Sequence, residues 1–168
     1  MYEPIRTKSV HTMAGTHESD FPHRSREEEL DIQLAGHLAA LLAVTDELRA
    51  LAPSDRLDES AERLAAQVGR LRGGSPPVRA TVPVPSGSAA ETQVLAQALR
   101  RRAHALAGRA LVVAASRADT AAAILSAEQM DAHAEAVADA HAEAVADAHA
   151  EAAATAVPAP GPRQLAAR

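Results

Sequence analysis

The chain has 168 residues, a net charge of −5, no cysteine and no tryptophan, and a single Phe and a single Tyr. That length holds one domain plus tails, and the missing cysteine excludes disulfides, a thiolate zinc site and a thiol nucleophile. Although 47% of the residues count as hydrophobic, most of that share is alanine, so any core must come from Leu, Val and Ile and is expected to be thin.

Residues 1–24 hold little apolar material and are expected to be disordered and dispensable for stability. They lack the apolar core of a signal peptide. The longest uncharged apolar run, residues 34–45, falls short of the ~20 residues that span a bilayer. The expectation is a soluble, cytoplasmic protein without a membrane partner.

Order is expected to begin at Ser25, which with Glu28 forms a capping box, while Glu27, Glu28 and Glu29 sit on the positive end of the helix dipole. Leu30, Leu34, Leu38, Leu41, Thr45 and Leu48 then recur at spacings of four and three, predicting a helix over 26–52 that stops before Pro53. Ser54 or Asp55 caps a second helix over 54–72. Its seam is Leu57, Ala61, Leu64, Val68 and Leu71, and Gly73 and Gly74 end it. So short a break predicts an antiparallel hairpin.

Residues 73–88 read as a Pro/Gly/Ser linker, with Pro77, Pro83 and Pro85 arguing against a strand. Ser88 and Glu91 form a second capping box, opening a third helix along Leu95, Leu99, Ala103, Leu106, Ala110 and Val113, widened by Leu111, Ile124 and Leu125. No proline follows before Pro158, so the third helix is expected to reach Ala127 and to run on or restart at 126–129. At a 1.5 Å rise it would be ~58 Å long against ~40 Å and ~27 Å for the first two. Its far end, with Ile124 and Leu125, is then left without cover.

From Asp131 the octapeptide DAHAEAVA repeats, with Asp131, Glu135, Asp139, Glu143, Asp147 and Glu151 at every fourth position. Alanine favours helix over strand, so 128–156 reads as a helical tail and 157–168 as a disordered C-terminus. His133, His141 and His149 suggest a metal array, but at eight residues apart they lie ~12 Å apart along a helix, too far to chelate one ion. The preferred reading is a tolerated duplication, a solvated acidic helix that adds little to stability.

Arg100, Arg101 and Arg102, with Arg109, are the candidate nucleic-acid contacts. Three successive helical residues spread over ~200°, so they cannot all face one groove. The third helix carries five Arg against Glu91 and Asp119, whereas the first carries six acids against Arg26 and Arg49. Pairing between these helices is the simpler account of the arginines. His37 and His104 could meet between them as a pH-sensitive or metal pair. There is no nucleophile–base set, phosphate loop or paired carboxylate in a recognisable context, so neither an enzyme nor a bound cofactor is expected.

The fold expected is therefore all-α: a helical hairpin and a long third helix making a three-helix bundle over 25–127, with an Ala-rich helical extension. The function expected is a non-catalytic protein–protein interaction or regulatory module, with a homodimer at micromolar concentration. The alternatives are an Arg-dependent nucleic-acid-associated protein and a small-ligand or metal sensor using histidines.

Overall fold

The structure, a computed structural model, describes residues 24–79, 81–83 and 86–155. The expectations for residues 1–23 and 157–168 lie outside them. The described residues form four helices, α1 (Arg26–Leu51), α2 (Asp55–Leu71), α3 (Ala89–Ser116) and α4 (Thr120–Thr155), and no strand.

Both capping boxes form. The Ser25 hydroxyl accepts from the Glu28 amide at 3.1 Å while Glu28 accepts from the Ser25 amide at 2.7 Å. Ser88 and Glu91 repeat the arrangement at 3.3 and 2.8 Å. α1 ends at Leu51, two residues ahead of Pro53, and α2 ends where Gly73 and Gly74 take φ of 69° and 91°. These conformations cost glycine nothing.

The long third helix of the sequence reading is in fact two helices. α3 stops at Ser116, and Ala118 takes the left-handed conformation with φ 56°. The Ala118 amide donates to Ala115 and the Asp119 amide to Ala114, at 3.1 and 2.9 Å, which is a Schellman motif built without glycine. Asp119 then caps α4, its carboxylate accepting from the Ala122 amide at 3.0 Å. Ser126 and Gln129, read as a potential new start, lie buried inside α4.

Left-handed backbone costs an L-residue about 1–2 kcal/mol, part of which glycine loses again through its freer unfolded chain. Ala118→Gly should therefore raise stability by about 0.5–1 kcal/mol in denaturant unfolding. A loss would mean that the chain does not turn here.

Folding back makes a four-helix bundle in place of three helices with a projecting end. α1 packs on α2 and α3, and α4 packs on α3 and α2, leaving α1 opposite α4 and α2 opposite α3. Ion pairs give the directions. Arg49 meets Asp58, Arg117 meets Asp31 at 3.0 Å, and Arg70, Arg63 and Arg56 meet Asp119, Glu128 and Glu135. Every neighbouring pair is thus antiparallel, and the parallel α2 and α3 require one long crossover. The linker supplies it. Arg79 holds it to α1 through Asp46, with Nε donating at 2.9 Å, so this part of the linker is anchored and is not a free spacer.

The core is led by α1, whose Leu34, Leu38, Leu41, Val44 and Leu48 are fully or nearly fully buried. Thr45 joins them, its hydroxyl satisfied by the Leu41 carbonyl at 2.9 Å. α2 adds Ala61, Leu64 and Val68, while α3 adds Leu99 and Leu106 among alanines. α3 and α4 bring mostly small side chains to this core, Ala103, Ala107, Ala110, Ala114 and Ala122. Leu125, expected to lack cover, is buried, whereas Ile124 is 54% exposed. No helix among the described residues is long and apolar enough to cross a membrane.

Candidate functional site

α1 and α2 meet at the turn 52–54, while α4 continues beyond it. A cleft of about 480 Å³ opens there, between the α1–α2 turn, the first half of α2, Arg100 of α3, and the stretch of α4 from Glu128 to Ala136. The first copy of the octapeptide repeat is therefore a wall of the bundle.

His133 lies in that wall and is only 4% exposed. Its Nε2 is buried and makes no hydrogen bond among the described residues. Burial, the charge of Arg100, and then those of His104 and Arg56 hold the imidazole neutral, with its pKa lowered from 6.5 to about 4. One turn earlier, Gln129 is buried and its Oε1 accepts a hydrogen bond from the Ser60 hydroxyl across the α2–α4 contact. Arg63–Glu128 and Arg56–Glu135 rim the cleft with exposed ion pairs.

The other histidines of the repeat fare differently. His141 and His149 sit in the run of residues 141–155, all exposed. The structure thus separates three sequence-identical positions into one buried and two solvated. Among the described residues no three His, Asp or Glu side chains come together as a metal site. His104 faces α4, where its charge acts on His133. In the register that Arg117 and Asp31 give α1 and α3, it lies opposite Val44, about two turns from His37. The His37–His104 pair of the sequence reading is not formed.

The arginines separate as well. Arg100 turns toward α4 and donates from Nη1 to the Ala136 carbonyl at 3.0 Å. Arg101, Arg102 and Arg109 are exposed and have no carboxylate partner among the described residues. At 100° per residue these three share one outward face of α3 with Val94 and Val112, which are 69% and 66% exposed. Among the described residues the acids of α1 make no ion pair with this cluster; the one ion pair between α1 and α3 is Asp31 with Arg117. Of the five arginines for which pairing with α1 is the simpler account, Arg117 pairs as expected through Asp31, whereas Arg101, Arg102 and Arg109 meet no α1 acid among the described residues.

Ser60 and Gln129 carried no signal in the sequence beyond one irregularity. Gln129 stands four residues before His133, where the corresponding positions before His141 and His149 hold Val137 and Val145. Compared with known proteins, the chain matches no family model, no curated protein and no solved structure.

Proposed function

We propose that the protein is a non-catalytic helical module that works by association, and that its partner is a second copy of itself. The observation that carries this reading is a pair of complementary, unpaired surfaces. One is the outer face of α3 with Arg101, Arg102 and Arg109 beside Val94 and Val112. The other is the exposed arm of α4, residues 141–155, with Glu143, Asp147 and Glu151. A two-fold axis across the open end of the bundle lays each acidic arm on the basic face of the other copy, so each contact is made twice.

Exposed ion pairs contribute only about 0–1 kcal/mol each and weaken with salt. The association should therefore be micromolar and salt-sensitive. Sedimentation of the full chain at ~100 µM, well above a micromolar dissociation constant, should give a dimer at low ionic strength. Arg101→Glu with Arg102→Glu should give a monomer, and adding Glu143→Arg with Asp147→Arg should restore the pair. A strict monomer of the unaltered chain at low salt overturns the reading.

The common face of Arg101, Arg102 and Arg109 also favours a second reading, nucleic-acid association through phosphate contacts. A gel shift with duplex DNA that depends on these three residues, in a chain that stays monomeric, would favour it over self-association.

A further inference from the structure

We infer that the cleft at the open end of the bundle binds a small molecule through a carboxylate or phosphate group, independently of any self-association. The volume of about 480 Å³ suits a small ligand. Arg100 spends one donor on the Ala136 carbonyl and has no carboxylate partner among the described residues. Guanidinium carries four more N–H donors in a planar fork suited to an oxyanion.

The first turn of α2, with Ser54 and Arg56, opens on the same space. There Ser54 caps the Leu57 amide, and the amides that remain and the positive end of the helix dipole favour negative charge, some of it already supplied by Asp55 and Asp58 of the same turn. His133 supplies the independent sign. It lines the cleft, the residue is only 4% exposed, and its Nε2 has no partner among the described residues. A buried polar atom left in this way ordinarily reflects a functional role or a missing companion.

The electrostatics agree. The charges that hold His133 neutral, on Arg100, His104 and Arg56, are all positive. Of the two acids lining the cleft, Glu128 pairs with Arg63, and Glu59 is exposed without an ion-pair partner among the described residues, leaving one carboxylate against Arg56 and Arg100. Among the described residues Arg56 is held by Glu135 alone, at 3.3 Å, both side chains being largely exposed, so it is free to swing onto a ligand. An anion seated against Arg100 offsets the positive field at His133, so binding draws a proton onto the imidazole and its titration midpoint rises.

The test is histidine imidazole NMR of the full chain at fixed ionic strength, with inorganic phosphate and succinate titrated separately against chloride. His133 should shift saturably below ~10 mM with its midpoint moving up from about 4, while His141 and His149 stay still. A response to phosphate alone or to succinate alone assigns the group. Arg100→Gln should weaken binding about tenfold or more. Should that variant not fold, Arg100→Lys, which keeps the charge and loses the fork, should weaken it less but measurably. No saturable change at His133, equal changes at all three histidines, or an unaltered response in the folded Arg100 variants each overturns the inference.

Discussion

A chain ending at Ala140 should unfold at the same midpoint as the full protein, whereas one ending at Met130 should lose about 2–3 kcal/mol. The difference lies in what each cut uncovers. Residues 141–155 are exposed along their whole length and touch no core side chain, so removing them takes away helical signal and little else. Residues 131–140 contain buried His133 and Ala140 and provide the carbonyl that holds Arg100. In the register set by Arg100 on Ala136, they also run level with Leu99, itself 6% exposed, which the cut at Met130 is expected to uncover. Uncovering one leucine accounts for about 1.5–3 kcal/mol. The sequence alone suggested that all of 131–154 is dispensable. A silent cut at Met130, measured by thermal and denaturant unfolding, would restore that view.

Acidification should act through His133 before it acts through the carboxylates. The unfolded chain binds the His133 proton near 6.5 and the folded chain only near 4. Between those values the unfolded state holds more protons, so stability is fully present above about 6.5 and declines as pH falls toward 4. Over that window the loss from this group approaches about 3 kcal/mol at 1.36 kcal/mol per pH unit. His133→Gln should flatten the slope between those limits. Asp119 acts lower. Burial works to raise its pKa, but the Ala122 amide and Arg70 outweigh it and hold it below 3.8, so its contribution is lost only as pH falls through that depressed value. Denaturant midpoints measured across the range, with an unchanged slope in the Gln variant, would disprove the assignment to His133.

The helix starts and stops were legible wherever local chemistry sets them. Ser25 and Ser88 with their glutamates, Pro53, and the Gly73–Gly74 pair each act within a few residues, and the structure uses all of them. The turn at 117–119 was not legible, because it lies in an alanine-rich run of high helix propensity and places Ala118 where glycine is usual. Asp119 was its single local cue. Without that turn the pattern reads as one long third helix, and three helices stand in place of four.

The cleft was hidden for a different reason. Copies of one octapeptide have one local propensity, and only the reach of α2 along α4, through Ser60 and Gln129, gives His133 surroundings that His141 and His149 lack. Arg100 differs from Arg101 and Arg102 in the same way. Adjacent residues on a helix look outward or inward by rotation alone, and the inward side is defined only once α4 has folded back.

The division of α4 into an anchored first copy and free later copies has a consequence for how such a chain changes over generations. Tandem copies in a gene gain and lose units by slippage during replication. A unit added after Ala140 disturbs no buried contact, so selection for folding does not oppose it. Each added octapeptide lengthens the arm by about 12 Å and rotates whatever follows by about 80°. Copy number therefore sets both how far the acidic row reaches and which way it points, and close descendants of one bundle can differ in geometry while sharing a core.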